Sequence, residues 1–221
     1  MKHQKKIYLL FFICLFFVLF LFNLNIFSFY KSDLTQEYAR LFTQAKKLQE
    51  DGEFEKSIRF FEKSLNIARK IPSEKKECES LFKLGLMYWN TGKLKESSEY
   101  YKLTLKLAQK LNLKNLEEKS RKALEIYKLY EDGKKYWSQS EFEKSIESFQ
   151  QAIHFAKEIE SKEHEHKCLR QMSFNYENLN KLKEFYSLNE KALKIAQSLN
   201  HRIEEGSCLT NIGNYYLKLD Y

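Results

Sequence analysis

The residues best suited to metal chemistry in this chain of 221 residues are consecutive, His164-Glu165-His166-Lys167-Cys168. Imidazole, carboxylate and thiolate groups are the usual protein ligands of zinc. Side chains two residues apart on a helix point about 200° away from each other, so these groups would converge only in an extended loop. We therefore interpret the segment as a solvated loop between two helical units, and we predict no metal site.

No other part of the sequence carries a recognisable chemistry. His154 and His201 have no acid and nucleophile at a spacing typical of catalysis. Glutamate and aspartate alternate with lysine, as they do on solvated helix faces. A phosphate-binding glycine loop is absent, because five of the six glycines fall at positions that recur along the chain, namely Gly52, Gly85, Gly92, Gly133 and Gly213. We predict no catalytic residues, no cofactor and no enzymatic activity.

The composition favours an all-helical protein that does not bind nucleic acid. Helix formers dominate, and Pro72 is the one proline. The formal net charge of +8 is spread over many segments and forms no basic stripe. The cysteines after the first thirty residues are an odd set that favours reduced, structural thiols, with one disulfide as the alternative if this part is exported: Cys78, Cys168 and Cys208.

A fourteen-residue pattern organises the chain. It reads EKSIRFFEKSLNIA at residues 55–68 and returns at 95–108, 143–156 and 183–196. The closing alanines are 40, 48 and 40 residues apart, which is typical of stacked supersecondary units. Amphipathic helical spacing continues throughout. We therefore predict an all-α domain over 33–221, with four helix pairs and a terminal half unit at about 38–71, 78–111, 115–159, 166–199 and 206–221.

Two recurring columns predict that the paired helices cross closely. The eighth position of each unit is small, with Ala45, Gly85, Gly133, Ser173 and Gly213. The twenty-fourth position carries a ring in the first three units, with Phe61, Tyr101 and Phe149. Small residues let two helix backbones approach while large ones interdigitate. Between the helices, Gly92 suits a left-handed helix end.

This pattern resembles the tetratricopeptide repeat. The second unit supplies the matching positions with Gly85, Tyr88, Gly92, Leu94, Ser97, Tyr101 and Thr104. The period of 40 residues is similar to that of kinesin light chains and spindle-orientation adaptors, and bacterial signalling proteins carry such arrays. The resemblance implies a right-handed superhelical solenoid whose first helices line a concave groove.

Three features depart from the pattern. Eight extra residues predict a longer first helix in the third unit, from about Asn115 to Trp137. In the fourth unit Phe185 replaces a small residue and Asn189 an aromatic one, and we expect Phe185 to fill the space that Asn189 leaves. The half unit is interpreted either as a terminal cap or as part of a longer relative, because no second helix follows Leu209, Ile212, Gly213 and Tyr216.

The resemblance implies that four positions of each first helix line the groove. They hold Phe42, Lys46, Phe82, Leu86, Trp89, Tyr127, Tyr130, Lys134, Trp137, Arg170, Phe174, Asn211 and Asn214. Exposed rings together with arginine and asparagine suit the binding of a partner peptide or helix. The alternative is that the rings are buried between the units.

The first thirty residues predict a membrane anchor. Lys2, Lys5 and Lys6 precede an uncharged stretch, Ile7–Tyr30, which as a helix would span roughly 36 Å against a hydrocarbon core of about 30 Å. The lysines predict a cytoplasmic amino terminus, with the repeats on the other side. A cleaved signal peptide and a secreted protein are the alternative, although the apolar part of such peptides is usually about 7–15 residues.

These observations together predict a membrane-anchored, non-catalytic scaffold for protein–protein interaction. It would hold a peptide or helix of a partner protein in the concave groove. The alternative function is a regulatory or sensory part of a larger signalling enzyme system.

Overall fold

The computed structural model describes residues 31–219, and in this range it consists of helices and turns without a β-strand. The first helix, α1, covers residues 31–50. The others are α2 (Phe54–Ala68), α3 (Glu74–Asn90), α4 (Leu94–Lys110), α5 (Lys114–Ser138), α6 (Phe142–Glu158), α7 (Lys162–Asn178), α8 (Leu182–Ser198) and α9 (Arg202–Leu219). The predicted anchor, residues 7–30, lies outside the described residues. None of the helices within 31–219 has the length and hydrophobicity that a membrane crossing requires.

Consecutive helices pack against each other and form a solenoid, as the sequence predicts. The four units are the pairs α1–α2, α3–α4, α5–α6 and α7–α8, followed by α9 alone. We call the odd-numbered helices first helices and the even-numbered ones second helices. Gly92 ends α3 with a φ angle of 78°, which confirms the left-handed turn. The predicted lengthening of the third unit is also confirmed, because α5 runs from Lys114 to Ser138.

The helices of a unit cross where a glycine faces a ring. A Cβ atom added at Gly85 would lie 2.8 Å from the ring of Tyr101. A Cβ atom at Gly133 would lie 2.8 Å from the ring of Phe149. Real Cβ atoms do not approach a ring so closely, so these two crossings require glycine. The predicted pairing of the small and the large column is confirmed here.

The array curls so tightly that its first unit meets α9. The first helices α3, α5 and α7 contact one another and therefore lie on the inside of the curl. The side chain of Asn200, before α9, donates a hydrogen bond of 2.8 Å to the backbone carbonyl of Glu50. The rings of Phe54 and His201 are 4.6 Å apart at the same place. We call this contact between residues 50–54 and 200–201 the closure seam.

Three cysteines in the described part of the chain are buried free thiols: Cys78, Cys168 and Cys208. Their burial supports the prediction that they are structural. Burial raises the pKa of the Cys78 thiol to about 11, so it is protonated at neutral pH.

Candidate functional site

The segment from His164 to Cys168 lies in α7, and the interpretation as a solvated loop is wrong. His164 is buried because the curl presses the start of α7 onto α3, and its ring lies 4.4 Å from that of Trp89. Burial lowers the pKa of His164 to about 3, so the imidazole is neutral. Its nitrogens lie 2.7 Å from the Ser161 hydroxyl and 3.4 Å from that of Tyr101. Within residues 31–219, no three histidine, cysteine or acidic side chains converge as metal ligands.

Trp89 fills the inside of the curl. It is fully buried, its Nε1 donates to the backbone carbonyl of Glu163 over 3.3 Å, and its ring meets that of Tyr130 edge-on at 5.1 Å. The expectation that Trp89 lines an open groove is therefore wrong. Trp137 occupies the same repeat position one unit later and is 47% exposed.

Most other rings of the predicted groove pack within or between units. Phe42 lies edge-on to Phe61 at 5.2 Å, and Phe82 lies 5.5 Å from the ring of Tyr101. Leu86 is buried, and the remaining rings, Tyr127 and Phe174, are half-buried. The alternative reading, in which rings are buried between units, thus describes much of this set.

The polar residues of the predicted groove have different surroundings. Lys46 and Asn214 are exposed. Lys134 is exposed too, 3.3 Å from Glu131 and over the ring of Tyr130. The last two bind neighbouring helices. Arg170 forms an ion pair with Glu204 of α9, and the side chain of Asn211 donates a hydrogen bond of 2.9 Å to the side chain of Asn189.

Three inner lysines were not singled out from the sequence: Lys83, Lys119 and Lys167. Two of them, Lys83 and Lys119, form a group with Lys46 of the predicted groove. Burial lowers the pKa of Lys83; Glu163 and Glu50 oppose this shift, while the charges of Lys46 and Lys119 add to it. These neighbours come from α1, α5 and α7, so no local pattern could have indicated the cluster. We call Lys46, Lys83 and Lys119 the inner lysine cluster.

The inner lysine cluster differs from three lysines of the second helices. Lys56, Lys102 and Lys144 each pair with a glutamate three residues earlier, and all three are exposed. No member of the inner cluster forms an ion pair with the described residues, although Glu50 and Glu163 are near. The inside of the curl thus carries positive charges that are not directly neutralised.

A cleft of about 580 Å³ opens at the closure seam. The buried amide nitrogen of Asn90 lies in its wall without a partner in the described chain. Four acidic residues line the cleft, Asp51, Glu53, Glu55 and Glu204, together with Arg202. Because both signs of charge are present, these charges alone do not indicate one class of ligand.

Comparison with known proteins agrees with this geometry. The family model of the tetratricopeptide repeat matches residues 39–110. The chain is similar to the solved Rap protein complexed with competence and sporulation factor, with 17% identity and a TM-score of 0.50 over 83% of this chain and 49% of that one.

Two further solved structures are similar in a looser way. One is a signal transduction ATPase with a tetratricopeptide repeat sensor from Pyrococcus horikoshii, with 22% identity and a TM-score of 0.42 over 85% of this chain and 30% of that one. The other is aspartyl phosphate phosphatase F from Bacillus subtilis, with 15% identity and a TM-score of 0.45 over 86% of this chain and 48% of that one. The chain spans about half the length of these proteins or less. No curated protein sequence matches it.

Proposed function

We propose that this chain is a non-catalytic scaffold of tetratricopeptide repeats that holds an acidic segment of a partner protein against the inner lysine cluster. The observation that supports this proposal is the contrast between three inner lysines without an ion pair and three lysines of the second helices, Lys56, Lys102 and Lys144, that each have one. The repeats support the scaffold, whereas the partner chemistry is argued from the charges of this chain.

The inner cluster favours a carboxylate ligand for an electrostatic reason. The charged form of Lys83 is disfavoured by burial and by two like charges from neighbouring units. A carboxylate that enters among these lysines reduces this repulsion and accepts charge-assisted hydrogen bonds. The free energy of unfolding would rise on binding, because the ligand stabilises the folded state only.

Lys134 and Trp137 extend the same face along α5. They are three residues apart on one helix and therefore neighbours on its surface. An exposed indole ring beside a lysine provides an apolar anchor next to a charge, which is typical of the residues that dominate binding energy. We propose that the partner segment alternates acidic and apolar residues.

The comparison with the Rap protein supports the binding of a partner, and the first thirty residues support a membrane anchor. A protein of this fold, the Rap protein, was solved with competence and sporulation factor bound. We also propose that residues 7–30 anchor the scaffold in a membrane, with the repeats on the side opposite the amino terminus. Protease treatment of sealed vesicles tests the latter: repeats that are digested on the amino-terminal side would contradict the orientation.

The binding proposal is tested with two fluorescent peptides of equal length and apolar content, one rich in glutamate and the other in lysine. The glutamate-rich peptide should bind, and its affinity should fall as salt is added. The variant Lys46→Gln/Lys83→Gln/Lys119→Gln should bind it about tenfold more weakly, which is about 1.4 kcal/mol.

The matched control is Lys56→Gln/Lys102→Gln/Lys144→Gln, which removes the same charge from the second helices. It should keep the affinity of the unaltered chain. Equal losses in both variants would mean that net charge alone attracts the peptide, and the site would be rejected. Tighter binding of a single-stranded oligonucleotide than of the peptide would assign the cluster to nucleic acid instead.

A further inference from the structure

We propose that the cleft at the closure seam is a second binding site, separate from the inner lysine cluster, and that it takes a small zwitterion with an ammonium and a carboxylate group. A free α-amino acid and a short peptide with free ends both have this chemistry. The volume of the cleft, about 580 Å³, lies in the range of small-molecule sites, about 300–1,000 Å³. Among the described residues that line it, none belongs to the inner lysine cluster.

Three parts of the chain that are distant in sequence form the cleft. They are the turn and the start of α2 at residues 51–55, the end of α3 at residues 90–91 and the start of α9 at residues 200–204. The hydrogen bond from the Asn200 side chain to the backbone carbonyl of Glu50 joins the first of these parts to the last. A ligand in the cleft would therefore contact the first unit, the second unit and α9 together.

The charges of the cleft differ in whether the chain already pairs them. Glu53 pairs with Lys56, and Glu204 pairs with Arg170. The other charged residues of the cleft are exposed and form no ion pair with the described residues: Asp51, Glu55 and Arg202. Two carboxylates and one guanidinium can thus pair with a ligand. Their complement is a molecule with an ammonium and a carboxylate group, because each end then forms charge-assisted hydrogen bonds.

The side chain of Asn90 supplies a further donor. Asn90 is only 9% exposed, and its amide nitrogen has no hydrogen-bond partner in the described chain. Buried donors without a partner are rare in folded proteins. Because Asn90 lines the cleft, an acceptor oxygen of a ligand can supply the missing bond. A carboxylate offers such an oxygen, and an ammonium group does not.

The same repeat position in other units shows how the chain satisfies such a side chain elsewhere. In the fourth unit the position holds Asn178, whose amide nitrogen donates a hydrogen bond of 2.7 Å to the backbone carbonyl of Phe174, one turn earlier in α7. In the third unit it holds Ser138, which bonds to the carbonyl of Lys135 in its own helix. Asn90 makes no such bond with the described residues. This difference supports a role of Asn90 in the cleft.

The probe is the dipeptide leucyl-leucine, measured by calorimetry with the full chain in detergent micelles. Its apolar side chains suit Ile203, which lines the cleft and is 79% exposed. The dipeptide should bind, and its N-acetylated and C-amidated forms, which each lack one charge, should bind at least about tenfold more weakly. Free leucine that binds as tightly as the dipeptide would assign the site to amino acids, and weaker binding of leucine would assign it to short peptides. No binding of either molecule overturns the proposal, and so does binding of both capped forms with the affinity of the dipeptide.

Variants of the full chain show where the probe binds. Asn90→Ala should weaken binding about tenfold, whereas Asn178→Ala, at the same repeat position, should leave it unchanged. Glu55→Gln should weaken binding, and Glu143→Gln, at the matching position of the third unit, should not. Arg202→Gln should weaken the binding of the dipeptide but not that of its C-amidated form, which has no carboxylate to pair. Unchanged affinity in the three variants of the cleft would place the probe elsewhere and reject the site.

Discussion

The Nζ atom of Lys167 donates a hydrogen bond of 2.8 Å to the backbone carbonyl of Trp89. This bond joins the fourth unit to the second, and the same Nζ atom lies 5.9 Å from the centre of the Trp89 ring. The carbonyl lies near the end of α3, where the helix dipole favours a positive charge. Burial nevertheless lowers the pKa of Lys167, and with the charges of Arg170 and Lys134 the pKa falls to about 8. The inside of the curl is thus held by a tryptophan and a lysine from units that are not adjacent.

The two tryptophans should differ sharply in their effect on stability. Trp89→Ala leaves a cavity among Tyr130, His164 and Lys167, so we expect the free energy of unfolding to fall by about 3–5 kcal/mol. Trp137→Ala removes a ring that is half exposed and should change it by less than about 1 kcal/mol. Urea denaturation followed by circular dichroism measures both. Similar losses would contradict the different burial of the two rings.

The sequence predicts contacts within a unit well because they are local. Tyr101 meets Gly85 sixteen residues away, across one short turn, and the spacing recurs in Phe149 and Gly133. The end points of α5 follow from the same register. These features depend on helical periodicity and on the small and large columns, both of which are visible in the sequence.

The sequence does not predict contacts between distant units, because small rotations between successive units add up to the curl. Trp89 and Glu163 are 74 residues apart, and nothing in either segment indicates that they meet. The burial of His164 and the inner lysine cluster have the same origin. A groove argued from repeat positions alone therefore included Trp89, which the curl buries.

Alanine at two glycines of the same repeat column should have opposite effects. Gly85→Ala places a methyl group against the ring of Tyr101, and we expect a loss of about 1–3 kcal/mol. Gly213→Ala meets no atom and should stabilise α9 by about 1 kcal/mol, because alanine is the better helix former. Thermal denaturation of both variants measures the difference. A loss of stability in Gly213→Ala would show that this glycine is covered in solution.

Acid should destabilise the array through its buried histidines. Burial lowers the pKa of His164 and of His166 to about 3, against about 6.5 in the unfolded chain. Between these values the unfolded state binds protons that the folded state excludes, so stability falls as the pH drops, by up to about 1.4 kcal/mol per pH unit for each histidine.

The pair His164→Gln/His166→Gln should be less stable at neutral pH but should lose less on acidification. His154→Gln, on the exposed side of α6, is the control and should keep the pH dependence of the unaltered chain. Urea denaturation at several pH values gives the slope of the free energy of unfolding against pH for each protein. Identical slopes in all three proteins would show that the buried histidines do not limit stability in acid.

The contribution of the closure seam to stability can be separated from backbone strain by comparing two glycines that share a backbone conformation. Gly52 has a φ angle of 74° and Gly92 of 78°. Alanine disfavours this left-handed conformation, so either substitution should lower the free energy of unfolding by about 1 kcal/mol. A Cβ atom at Gly52 would in addition overlap the backbone carbonyl oxygen of Asn200, whereas at Gly92 the nearest atom is the Lys167 Nζ at 3.9 Å. Gly52→Ala should therefore lose more stability and increase the radius of gyration, while Gly92→Ala keeps the compact shape. Denaturation and small-angle scattering measure the two effects. Because the strain is matched, equal losses with no change in radius would mean that the contact between Glu50 and Asn200 does not hold the curl closed.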